Sequence, residues 1–120
     1  MVSECVFCKI AEGKIPSSRI YENDSFFSVS DAHPIIEGHS LVIPKKHFET
    51  ILDMPSSLEM ELLDCIKKTA MILIKKYKSE GFHVANNNFE AAGQTVKHVH
   101  FHILPRKKGD NVSFDRILSA

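Results

Sequence analysis

The period of the apolar positions changes several times along the chain, and each change marks an element. Across residues 4–12, Phe7, Ile10 and Ala11 fall on one helical face, with Gly13 placed to stop the helix. Ile15-Pro16 then demands extended or turn backbone. Arg19 to Glu22 and Phe26 to Ser30 predict two strands around an Asn23-Asp24-Ser25 turn, which makes a hairpin. Asp31 to Gly38 holds proline and glycine breakers and predicts a loop. His39 to Ile43 predicts a third strand, ended by Pro44. After Pro55, Ser56 with Glu59 has the capping-box pattern. Leu62, Leu63, Ile66, Ala70, Leu73, Ile74 and Tyr77 follow at helical spacing as far as a stop at Gly81. The Met and Leu stripe of that helix, and Cys65 within it, are expected in the core. Phe82 to Asn86 predicts a fourth strand, Asn87 to Gly93 a polar loop, and Thr95 to Leu104 a fifth strand. A helix, three strands, a long helix and two strands point to an α+β fold on an antiparallel sheet.

Composition narrows the function classes. A chain of 120 residues is most simply one domain, residues 1–120, with a real hydrophobic core. Fifteen basic residues balance fifteen acidic ones, so no general field favours nucleic acid or a membrane surface. There is no apolar stretch near the length of a membrane span and no signal-peptide pattern. Three cysteines, an odd number, favour reduced thiols or a metal over disulfides. The expected location is cytoplasmic, with the nucleus as a second compartment.

The fifth strand carries the chemistry. Residues 98 to 102 read His-Val-His-Phe-His. In extended backbone, successive side chains point to opposite faces, so His98, His100 and His102 line one face and Val99, Phe101 and Ile103 the other. The apolar face can enter a core, but three imidazoles in a row need partners. Two residues of strand rise about 6.6 Å, so the outer two histidines stand roughly 13 Å apart at Cα. That is long for three ligands on one tetrahedral ion. A central reactive imidazole with a neighbour on each side fits the spacing better, and a metal held by two of the three stays open.

Other residues add to this. Cys5 and Cys8, spaced Cys-x-x-Cys, can bite one zinc ion if two further ligands come from elsewhere, with His47 and His98 the best distant partners. The alternative is a pair of small core residues; a thioredoxin-like redox pair would need a βαβ unit, which is absent. The small residues of Ala91 to Thr95 let a ligand approach the backbone, as an anion loop or as a plain turn. Asp31 is placed to accept from ribose hydroxyls or to cap a turn. His33 and His83 have no supporting context, and the Pro44-Lys45-Lys46 run reads as a solvated turn, with a phosphate-steering patch as the alternative.

The run His98-Val99-His100-Phe101-His102-Ile103-Leu104 resembles the signature of the histidine triad (HIT) superfamily. Phe7-Cys8-Lys9-Ile10, Ile15-Pro16, Gly38 to His47, Ala92 to Val96 and Pro105-Arg106 stand in the order that family shows, so the resemblance spans residues 5 to about 110. It is nearest the Hint-like branch of nucleotide-binding hydrolases with a zinc-type Cys-x-x-Cys. The resemblance implies a five-stranded antiparallel sheet with two helices. It also implies a homodimer, paired through the long helix and the fifth-strand region into a ten-stranded sheet. It further implies attack at the α-phosphate of a purine nucleotide, with an AMP or GMP moiety. By motif position, His100 would be the nucleophile and form a nucleotidyl-histidine, a covalent route that divides one hard displacement into two easier ones. The carbonyl of His98 would orient His100, and His39 and His102 would hydrogen-bond phosphate oxygens. Thr95 would contact the leaving group, with Gly93, Gln94 and Asn87 beside the phosphate. Asp31 would hold the ribose, and Phe7, Ile10, Phe27 and Ala32 would pack around the base. Cys5, Cys8, His47 and His98 would hold a structural zinc ion, with no catalytic metal expected.

Two departures from the family pattern bear on specificity. Phe89 stands where many relatives have Gly, and the tail after Pro105 lacks the Trp-containing ending of animal Hint proteins. The leading expectation is a purine nucleoside phosphoramidase. A dinucleoside polyphosphate hydrolase and a non-catalytic nucleotide-binding module are the alternatives.

Overall fold

The computed structural model describes residues 4–118. Its first reversal follows from one side chain: the Asn23 carbonyl Oδ1 accepts from the amides of Ser25 and Phe26, closing the turn between β1 (Arg19–Glu22) and β2 (Phe26–Ser30). These strands pair antiparallel with an irregularity between Arg19 and Tyr21. β3 (Ser40–Pro44), β4 (Gly81–Ala85) and β5 (Phe101–Arg106) complete one antiparallel sheet in the order β1-β2-β3-β5-β4.

The pleat sorts side chains between two apolar layers. Phe26, Val42, Val99, Phe101 and Ile103 face α2 (Glu59–Tyr77), where they meet Cys65, Ala70 and Leu73. Phe27, Val29, Leu41 and Ile43 form the opposite cluster with Phe7 of α1 (Val6–Ala11). Alternation therefore holds through the histidine run: its apolar residues lie under α2, and its histidines lie on the α1 side with Phe7. One buried polar contact crosses to the helix, where the Thr69 hydroxyl donates to Ser28 Oγ at 2.7 Å. The close approach of the loop after β2 requires Gly38, which has φ +87°; an added Cβ would stand 2.9 Å from the Tyr77 ring.

Several boundaries differ from the sequence expectation, each for a local reason. β5 begins at Phe101 rather than Thr95. Ahead of it the ladder is replaced by other contacts: the Val99 amide donates to the Phe48 carbonyl, and the His98 ring bonds the Pro44 carbonyl. β3 is displaced by one residue, because Pro44 still pairs with Phe26 at the end of β2. β4 likewise runs Gly81–Ala85, since Gly81 pairs with Arg106. The Ser56–Glu59 capping box does not form; Ser56–Leu58 is a single 3-10 turn leading into α2, which has no side-chain cap. A capping box does form at Thr50 and Asp53. The long helix stops at Lys78, which takes the left-handed conformation at φ 56°, and not at Gly81. The Met and Leu stripe is only partly core: Leu62, Ile66 and Tyr77 pack inward, whereas Met60, Leu63 and Met71 are exposed. A third helix, α3 (Phe114–Leu118), was not signalled in the pattern. Cys65 is fully buried as expected, and burial pushes its thiol up to about 11.

Candidate active site and metal centre

Backbone contacts set the tautomers of buried His39, His98 and His100. His100 Nδ1 donates to the main-chain carbonyl of His98 at 2.8 Å, so the neutral ring carries its lone pair on Nε2. His98 Nε2 donates to the Pro44 carbonyl at 2.9 Å, which turns the Nδ1 lone pair of His98 the other way. His39 Nδ1 accepts from the Ile35 amide at 3.2 Å, so His39 carries its proton on Nε2, 2.9 Å from His102 Nδ1. While that proton points at His102, His102 holds its own proton on Nε2. No buried side-chain nitrogen or oxygen among the described residues lacks a partner. Among the described residues no group bonds Nε2 of His100 or of His102, and neither nitrogen is a buried unpaired atom, so both face the open side of the site. A nucleophilic lone pair and a hydrogen-bond donor thus stand side by side, on rings whose centroids are 5.1 Å apart.

Burial governs the charge of these rings. Desolvation lowers the pKa of His100, against the opposing pull of the His98 carbonyl and of Asp31. It lowers His102 to about 4, helped by the neighbouring His100 and His39. His39 is lowered for the same reason and raised in part by Asp31. All three rings are therefore neutral near pH 7, as a nucleophilic imidazole requires.

The remaining predicted residues fall around this centre. The Phe7 ring meets His100 edge-on at 4.9 Å, and half-buried Ile10 packs on the same cluster. Phe27 is fully buried and covered by the Arg19 guanidinium, 4.3 Å above its ring; it backs the apolar cluster without reaching its surface. Val29, which the sequence reading missed, lies with Phe27 and points to the same face two residues before Asp31. Asp31 Oδ2 stands 3.4 Å from His39 Nε2, its Oδ1 accepts from the His33 amide, and Ala32 is exposed beside it. Gly93 (φ +90°) faces the Asn87 side chain, and Thr95 is exposed. The Gln94 amide braces the loop: it donates to the Glu49 and Val96 carbonyls and accepts from the Phe89 amide. Asn86 is a further missed residue, donating from Nδ2 to the His100 carbonyl at 2.9 Å. The Asn86-Asn87-Asn88 run was the available signal. Cavities of about 320 and 330 Å³ lie near Tyr77 and beside Phe89 and Gln94, and no triad histidine lines either.

Cys5, Cys8, His47 and His98 converge, with their ligand atoms all within 4.8 Å of one another. His98 Nδ1 lies 3.3 Å from Cys5 Sγ, 3.5 Å from Cys8 Sγ and 3.1 Å from His47 Nδ1. A tetrahedron built on Zn–S near 2.3 Å and Zn–N near 2.05 Å has edges of about 3.3–3.8 Å. The four residues therefore fit a tetrahedral ion held by two sulfurs and two nitrogens. Desolvation, with Cys5 adjacent, pushes the Cys8 thiol up to about 11, a cost that a bound cation reverses. Asp31, His39 and His102 also cluster. An ion at His39 Nε2 would need the proton on Nδ1, where the Ile35 amide already points, so hydrogen bonding accounts for that cluster better.

The HIT-domain family model matches residues 12–109. The chain belongs to the HIT family. It is 41% identical over 124 aligned positions to an uncharacterized HIT-like protein of Methanocaldococcus jannaschii, covering 95% of each chain. It is 38% identical to the adenosine 5′-monophosphoramidase of Candida albicans, over 88% of this chain and 72% of that one. Among solved structures it resembles a zinc-bound histidine triad family protein from Mycobacterium smegmatis, with TM-score 0.87, 36% identity, and 99% and 89% of the two chains covered. The five-stranded antiparallel sheet with one long helix is the HIT fold. Among the described residues of this HIT protein, no helix is long and apolar enough to cross a membrane.

Proposed function

We propose that this HIT protein is a purine nucleoside phosphoramidase that cleaves the P–N bond of substrates of the AMP-amide and AMP-lysine type. The observation that carries the reading is the His100 Nδ1 to His98 carbonyl bond, which leaves His100 Nε2 as an open lone pair beside a second open donor. His100 Nε2 attacks the α-phosphorus as the P–N bond breaks, and the amine leaves with a proton taken from solvent, which the water consumed in the second step returns. Water then attacks the same phosphorus, releasing the nucleoside monophosphate and restoring neutral His100. His102 Nε2–H donates to a phosphate oxygen as charge builds there, the kind of aimed donor that lowers such barriers most. Phe7, Ile10 and Val29 supply the apolar wall for a purine, and Asp31 accepts from the ribose. Similarity to the Candida albicans phosphoramidase supports the choice of leaving group.

Zinc is the ion assigned to Cys5, Cys8, His47 and His98, supported by the donor set and by the zinc-bound Mycobacterium smegmatis relative. When bound, it supplies a structural cross-link between α1 and the segment leading into β5. We further propose a homodimer through the long helix and the edge strand β4, whose Phe82 and Val84 are exposed along with Met60, Leu63 and Met71 of α2; β5, the strand expected at the seam, lies inside the sheet between β3 and β4.

Incubation with adenosine 5′-monophosphoramidate tests the activity, with His100→Asn alongside. The expected result is AMP release by the wild type and a loss of at least about 10³-fold in the variant. Equal low rates from the two proteins would sink the enzymatic reading. A parallel assay with a dinucleoside polyphosphate separates the two hydrolase alternatives.

A further inference from the structure

His39 has no nitrogen free for substrate. The ring is 3% exposed, Nδ1 is taken by the Ile35 amide, and the single proton on Nε2 has two acceptors within reach. One is His102 Nδ1 at 2.9 Å, and the other is Asp31 Oδ2 at 3.4 Å. The loop between β2 and β3 is closed around this ring. The Asp31 amide donates to the His39 carbonyl, the His39 amide donates to the Ile36 carbonyl, and Asp31 Oδ1 accepts from the His33 amide.

The competition for that proton has a chemical consequence. When His39 Nε2–H points at His102 Nδ1, the proton of His102 must sit on Nε2, the nitrogen that faces the open side of the site. When it is drawn toward the Asp31 carboxylate, His102 Nδ1 loses its donor and the ring is free to take the other tautomer, with a lone pair facing the phosphate site. A lone pair there repels a phosphate oxygen, whereas an N–H stabilises it. A ribose diol donating to Asp31 satisfies the carboxylate and releases His39 Nε2–H to His102.

We propose that His39 is a positioning residue that relays occupancy of the sugar-binding carboxylate to the phosphate-facing donor His102. The inference rests on the proposed reading of Asp31 as the ribose site and of His102 as a phosphate donor. It names a substrate preference: nucleotides with a vicinal ribose diol are favoured over deoxy analogues in kcat as well as in binding.

Ring-nitrogen NMR of ¹⁵N-histidine-labelled protein reads the tautomers without any turnover. Adenosine and 2′,3′-dideoxyadenosine are the probes, and the Asp31 carboxyl signal reports sugar contact. Adenosine is expected to move the Asp31 signal and to drive His102 fully to the Nε2-protonated form, and the dideoxy compound is expected to do neither. If Asp31 responds to adenosine while the His102 tautomer population stays put, the relay is overturned. If Asp31 does not respond, the ribose-site reading fails instead, and the relay with it. His39→Leu is expected to admit the Nδ1-protonated form of His102 and to lower kcat about 10²-fold with little change in KM. His39→Gln places an amide N–H near the same spot and is expected to restore most of both effects. His102 held on Nε2–H in the Leu variant, with or without adenosine, would overturn the proposal. The ligand titration on wild type stands even if that variant does not fold.

Discussion

The Nδ1–H of His100 donates to the carbonyl oxygen of His98, two residues back along the same chain, at 2.8 Å. This contact makes one histidine of three distinct from its neighbours. The carbonyl fixes the His100 tautomer with backbone alone, and the His98 side chain is left for other work.

Activity should depend on pH through His100. Burial lowers its pKa below the ordinary value of 6.5, so the neutral nucleophile persists at and somewhat below pH 6.5. The acid limb of a kcat/KM profile is expected to have an apparent pKa under 6.5, with activity falling as pH drops through it. An acid limb centred at or above 6.5 would contradict the assignment.

Acid should also unfold the protein through the same cluster. His102 is lowered from 6.5 to about 4 in the folded state, so between those values the unfolded chain binds more protons. Stability is therefore full above pH 6.5 and is lost as pH falls toward 4, by on the order of 3 kcal/mol from His102 alone. Urea midpoints measured across pH 4–7 check this. In His102→Gln the slope should flatten, and an unchanged slope would remove His102 as the source.

Metal analysis addresses the Cys5, Cys8, His47 and His98 centre. Purified wild type is expected to carry about one zinc per chain, and Cys8→Ser to lose most of it. Chelation should lower the thermal midpoint of wild type and barely move that of Cys8→Ser. Wild-type protein with almost no zinc would reject the site.

Phe89 sits at φ 71° and ψ 159°, a region that glycine alone occupies without strain. Its side chain is about half exposed, so little burial is lost on truncation. Phe89→Gly is expected to raise stability by about 1 kcal/mol, after the entropy cost of glycine in the unfolded chain. A lower thermal midpoint in that variant would show that the ring contributes more than the strain costs.

The hairpin was legible because its turn chemistry is local: Asn23 closes β1 to β2, and both strands begin and end where the pattern placed them. The alternation that sorts Val99, Phe101 and Ile103 from the histidines was legible for the same reason. The start of β5 was not, because a ladder gives way where a distant group takes its place, here the His98 ring on the Pro44 carbonyl. The start of α2 failed similarly, since the Ser56 pattern lost to a 3-10 turn. Within the site, side-chain candidates could be named from motif position, but the Ile35 amide and the Pro44 carbonyl belong to the main chain and carry no residue-type signal.

The most direct test of the account is an intact-mass measurement on protein quenched within the first turnovers on adenosine 5′-monophosphoramidate. An adenylyl adduct is expected, acid-labile as a phosphorus–nitrogen bond should be, and mapped by peptide analysis to His100. Turnover with an adduct on another residue, or turnover in His100→Asn at the wild-type rate, would contradict it.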